Sequence, residues 1–151
     1  MFTDYISVVF LTDLVTGVVA FFARIDGFVG SPSERSTIPF DVVELNMGNA
    51  YEPTTGVFEA PVAGVYTFSY LAQADSSCGT GDIGAQLMVK DAMASVTNSL
   101  YLSSAGGSVT IQLGVGDSVL VAVNAGAVCQ TLRDGVSSYN TFSGHLVYQI
   151  I

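Results

Sequence analysis

Val65-Tyr66-Thr67-Phe68-Ser69-Tyr70-Leu71 alternates without a break: every even position is aromatic, and the odd positions hold Val, Thr, Ser and Leu. Successive side chains of a strand point to opposite faces, so this spacing puts Tyr66, Phe68 and Tyr70 on one face. No polar groups converge among the rings as a cofactor pocket would require, and the stripe reads as core. Gly64 stands at the strand's entrance, and Phe40, Tyr51 and Phe58 bracket the segment before it. The pattern predicts a strand over 64–73.

Working outward, the same period of two recurs over 18–25, 83–90, 94–102, 108–113, 117–123 and 141–150, in runs rich in Val, Ile, Thr, Tyr and Phe. No segment repeats apolar residues at 3.6 spacing for a dozen residues, so the chain is expected to be all-β. Turn chemistry separates the runs at 30–33 (Gly-Ser-Pro-Ser), 52–56 (Glu-Pro-Thr-Thr-Gly), 105–107 (Ala-Gly-Gly) and 114–117 (Gly-Val-Gly-Asp). This regularity points to a sandwich or barrel. No composition break, internal repeat or Gly-X-Y stretch divides the chain, and the one anomaly is its first sixteen residues.

A chain of 151 residues folded alone buries about 70 % of its unfolded surface, which excludes a disordered protein. Four basic residues (Arg24, Arg35, Lys90 and Arg133) face thirteen acidic ones, for a net charge of −9. Such a field repels polyanions, which argues against nucleic acid and anionic membrane surfaces as partners. Half the residues are apolar and only 11 % charged, more apolar side chain than a monomer's interior hides, so another subunit is expected to cover some of it. The apolar opening at 1–23 lacks a basic n-region and is interrupted by Asp4 and Asp13. It reads as strands, not as a signal peptide or a membrane span.

Little suggests catalysis. The glycines Gly79, Gly81 and Gly84 match GxGxxG, but Ile83-Gly-Ala-Gln-Leu-Met-Val-Lys90 then reads as a strand, whereas a dinucleotide site needs a helix there. His145 is the single histidine, without a GxSxG elbow or a nearby paired acid, and reads as a strand residue. No enzyme is expected. Of the loop acids Asp75, Asp82, Asp91, Asp117 and Asp134, none sits in EF-hand spacing. Asp117, in a tight turn, is expected to bond its own backbone. Asp91, at the tip of a short link between strands, is the better ligand for a hard cation, with a solvated hairpin residue as the alternative. Cys78 and Cys129 lack zinc spacing and allow one bridge or two ordinary thiols.

Phe40, Asn46, Tyr51, Phe58, Gly64, Tyr66, Phe68 and Tyr70 match position for position the spaced signature of the C1q domain, the globular head of complement component C1q. Val19-Ala-Phe-Phe-Ala23 resembles the family's first strand, and residues 51–66 its central hairpin. Gly107-Ser-Val109, Leu113 with Gly116-Asp117, and 142–148 resemble its closing strands. The resemblance covers residues 17–151 and leaves 1–16 as an extension without a counterpart. It implies a ten-strand jelly-roll β-sandwich of the tumour-necrosis-factor type, assembled as a homotrimer. It also implies a secreted, extracellular, non-enzymatic protein, here a head without a collagen stalk.

The function this implies is lectin-like pattern recognition in innate immunity, with carbohydrate or protein ligands on microbial or host surfaces held by avidity. A structural matrix trimer or a receptor-binding signalling trimer of the same superfamily is the alternative. Some relatives hold calcium with two aspartates eight residues apart. Asp91 falls on the first position, while Ser99 occupies the second. The topology implied by the family places the loops carrying Cys78 and Cys129 at one end of the sandwich, which suggests a bridge between them.

Overall fold

A computed structural model of the chain describes residues 17–30, 35–73, 83–90, 92–99, 104–123, 132–134 and 140–151. Residues 1–16, Cys78, Asp91 and Cys129 lie outside them. The described strands are β1 (Ala20–Arg24), β2 (Gly27–Gly30), β3 (Val42–Met47), β4 (Tyr51–Glu52), β5 (Val57–Glu59), β6 (Gly64–Gln73), β7 (Ile83–Val89), β8 (Ala92–Ser99), β9 (Ser104–Leu113), β10 (Ser118–Val123), β11 (Leu132–Asp134) and β12 (Thr141–Gln149). Ten of them form two five-stranded sheets, in the orders β3-β1-β12-β6-β9 and β4-β5-β10-β7-β8, while β11 and β2 pair separately. Every pairing is antiparallel, and consecutive strands repeatedly cross between the sheets, which is the jelly roll expected from the sequence.

The central strand β6 has the boundaries its alternation predicts, and Tyr66, Phe68 and Tyr70 point into the sandwich at 0 %, 0 % and 4 % exposure. Phe21 links the two layers. Its ring stacks on Tyr51 at 4.7 Å, meets Phe142 edge-on at 4.9 Å and lies 5.4 Å from Phe58. Phe58 in turn meets Phe68 edge-on at 5.1 Å. Offset and edge-to-face geometries of this kind add about 0.5–1.5 kcal/mol per pair beyond burial of area.

Two glycines are required by close approach. A Cβ on Gly64 would lie 2.5 Å from Leu146 Cδ1 and 2.6 Å from the Tyr148 carbonyl oxygen, and one on Gly144 would strike the Phe68 ring at 2.4 Å.

The structure corrects the sequence reading at two places. Ala105-Gly-Gly107 is no turn but part of β9, because Gly106 lets that strand pass 2.8 Å, measured to an added Cβ, from the Tyr70 carbonyl. The run expected at 94–102 begins earlier, as β8 at Ala92. In β12 a bulge between Leu146 and Tyr148 leaves Leu146 against the core and turns Tyr148 outward, 57 % exposed.

Candidate interaction surface

The eight signature residues hold the scaffold together. Tyr51 is buried, and its hydroxyl donates to the Phe40 carbonyl (3.0 Å) while accepting the Phe40 N–H (3.2 Å). Asn46 clamps the other side of the same residue, its Nδ2 donating to the Tyr51 carbonyl (2.9 Å) and its Oδ1 accepting the Tyr51 N–H (3.3 Å). The hydroxyl of Tyr66 donates to the Val62 carbonyl (2.7 Å), and that of Tyr70 to the Ala85 carbonyl on the opposite sheet (3.3 Å). Burial pushes the phenols of Tyr51 and Tyr66 above their ordinary range. These side chains are committed to the fold and are not offered to a ligand.

What the fold offers is the outer face of the β3-β1-β12-β6-β9 sheet. Directly paired residues of an antiparallel sheet share a face, so the registers lay out rows across it. One row runs Leu45, Phe22, Ser143, Ser69, Ser108, and the next runs Met47, Ala20, His145, Thr67, Thr110. The β3-β1 half is apolar, with Phe22, Leu45 and Met47 at 38 %, 43 % and 47 % exposure. The β6-β9 half is a hydroxyl ladder: Thr67 and Thr110 share a hydrogen bond of 2.8 Å, and Ser69 donates to Ser108 at 3.0 Å. In a chain of net charge −9, the carboxylate on this face among the described residues is Glu44, held at one corner by Arg24 (2.9 Å).

At one end of the sandwich, Asp117 caps the β9–β10 turn as the sequence suggested. Its Oδ2 accepts the Gly114 N–H (2.6 Å) and an ion pair from Lys90 (2.7 Å). The Lys90 hydrogen bond, and then that from Gly114, hold this carboxyl below the usual range. A shallow groove of about 570 Å³ opens beside the β4–β5 hairpin, lined by Asn49, Glu52, Thr55, Val57, Glu59 and Pro61 among others.

Asp91, the expected calcium ligand, lies outside the described residues, and Ser99, at the second position, closes β8. Among the described residues no three His, Cys, Asp or Glu side chains gather as a metal site would need. His145 lies on β12, exposed, between Ala20 and Thr67. The GxGxxG glycines lead into strand β7, not a helix. No helix among the described residues is long and apolar enough to cross a membrane.

Comparison with known proteins agrees with this architecture. A family model described as the C1q domain matches residues 20–147. Human complement C1q and tumor necrosis factor-related proteins 9A and 9B are each 30 % identical over 120 residues, covering 78 % of this chain and 35 % of their own length. The chain thus spans about a third of the curated relatives it matches. Among solved structures, the globular domain of zebrafish complement 1qA superposes with a TM-score of 0.70 at 18 % identity, covering 87 % of this chain and 99 % of that one. Eiger TNF from S. frugiperda superposes at 0.68 and 15 % identity, covering 89 % and 96 %.

Proposed function

The chain belongs to the C1q domain family, and from that premise we propose that it is a non-enzymatic, extracellular recognition module. Three copies assemble through the outer face of the β3-β1-β12-β6-β9 sheet and present repeated loops to carbohydrate or protein ligands on microbial or host surfaces. The observation that carries the reading is that face: broad, apolar on one half and hydroxyl-lined on the other, with Glu44 as the carboxylate among its described residues. A face of this kind is covered at less cost by another copy than by water.

Assembly supplies the mechanism. Three equal binding sites convert weak single contacts into tight holding of a repetitive ligand, and no bond is made or broken. The acidic surface favours neutral sugars or basic proteins as ligands. The Cys78–Cys129 bridge is part of the same reading, and peptide mapping without reduction tests it: free, alkylatable thiols at both positions would remove it.

The test is a screen of the full chain against immobilised glycans and microbial surfaces, with calcium and with EDTA. Multivalent binding that weakens when the assembly is split into monomers supports the proposal. Uniform absence of binding in both buffers overturns it. Binding that persists in EDTA assigns recognition to the protein surface without calcium at Asp91.

The relatives named for C1q and tumor necrosis factor favour a second reading, a trimer that engages a cell-surface receptor. A stoichiometric protein partner, recovered by pull-down and indifferent to competing sugars, would select it.

A further inference from the structure

This inference rests on the self-association proposed above. His145 is the single histidine of the chain, and it lies on β12, the middle strand of its sheet. Its cross-strand neighbours are Ala20 on β1 and Thr67 on β6, and its own strand adds Ser143. The next strand out on one side contributes Thr110 and Ser108 on β9, and on the other Met47 and Leu45 on β3. The charged groups of this face are remote from it. Arg24 stands at the far end of β1 and is held by Glu44 (2.9 Å) and Asp26 (3.9 Å). The phenol of Tyr148 lies beyond the bulge on β12. No carboxylate among the described residues stands beside the imidazole to favour its charged form.

We infer that His145 makes the self-association of this chain sensitive to acid. The neutral imidazole is covered readily by a second copy among hydroxyls and apolar side chains. An imidazolium covered in the same place loses its water without gaining a counter-ion. Histidine is the side chain whose charge is most readily changed by mild acid. Where association requires the neutral form, each imidazole that must stay uncharged weakens it by up to about tenfold per pH unit as acid is added. The remaining charge acts in the opposite direction. Copies of net charge −9 repel one another, and acid that protonates carboxylates relieves the repulsion. Dissociation on going from pH 7.5 to 5.5 therefore reports the imidazole and not the general charge.

The experiment measures the solution mass of the full chain by light scattering at pH 7.5 and 5.5, for the wild type and for His145→Gln, which keeps a polar side chain without titrating. The expected result is a wild-type assembly at pH 7.5 that dissociates at 5.5, and a variant that keeps its mass at both. A wild-type mass unchanged at pH 5.5, or a variant that dissociates alongside it, overturns the inference. A wild type that is monomeric already at pH 7.5 overturns the assembly reading itself, a distinguishable failure. Should His145→Gln not fold, His145→Asn, which also keeps a polar side chain without titrating, serves instead, and it is expected to keep its mass at both pH values. A His145→Asn variant that dissociates at pH 5.5 as the wild type does contradicts the inference.

Discussion

One phenol oxygen serves both backbone groups of one residue: Tyr51 donates to the carbonyl of Phe40 at 3.0 Å and accepts its N–H at 3.2 Å. The loop before β3 is thereby tied to β4 without a strand pairing between them. Phe40 and Tyr51 are both buried, so water has no ready access to replace these bonds.

Tyr51→Phe leaves a buried N–H and a buried carbonyl unpaired and is expected to cost about 1–3 kcal/mol, more than an ordinary hydrogen bond contributes net. Chemical denaturation measures it. A change below about 0.5 kcal/mol, the size of a bland surface substitution, would show that the loop is held by packing alone.

The same phenol sets an alkaline limit. Burial holds the Tyr51 proton well above the ordinary tyrosine range and pushes Tyr66 in the same direction. The folded state then keeps protons that the unfolded state releases. The stabilisation is fully present below about pH 10, the unfolded value, and is lost as pH rises toward the folded one. Stability should fall with pH above about 10, and less steeply in Tyr51→Phe. Equal slopes in the two proteins would assign the alkaline loss elsewhere.

Replacement of Phe68 by Ala removes a ring that contacts Phe21, Phe58, Tyr66 and Phe142 and is expected to cost about 3–5 kcal/mol. Gly64→Ala acts by excess instead of loss. Its Cβ meets a backbone carbonyl at 2.6 Å, so β6 and β12 must separate locally, at about 1–3 kcal/mol. Thermal melts of the two variants test both, and an unchanged Gly64→Ala melt would mean that the strands part freely there.

Asp117→Asn tests the turn. The aspartate's folded pKa is lowered by Lys90 and Gly114, so its contribution is present above the ordinary carboxyl range and is lost as pH falls through the folded value. The variant should be less stable than wild type at neutral pH and indistinguishable from it in strong acid. Because Lys90 is half exposed, high salt should narrow the neutral difference. A difference that persists in acid would mean that the amide disturbs the turn by itself.

The sandwich was legible where a strand buries one face and leaves the other polar. β6 follows from Tyr66, Phe68 and Tyr70, and the Asp117 turn follows from its glycines. The strand β3 did not announce itself, because Leu45 and Met47 face outward and cancel the alternation that burial would impose. β4 and β5, at two and three residues, are too short to show a period. The Phe40–Tyr51–Asn46 clamp arises only when side chains bond backbone groups across the fold, and the central place of His145 only once strand registers are fixed; neither shows in spacing along the chain. The family signature located the clamp residues, and the structure supplies the physical reason they recur together.

The most direct measurement is the solution mass of the full chain at neutral pH, beside a Leu45→Glu variant that puts a carboxylate on the apolar half of the sheet face. The account predicts three 15.7 kDa chains, about 47 kDa as a closed threefold assembly, and a folded 15.7 kDa monomer for the variant. A wild type that is monomeric at high concentration, or a Leu45→Glu variant that assembles like it, would contradict the claim that this face is where copies meet.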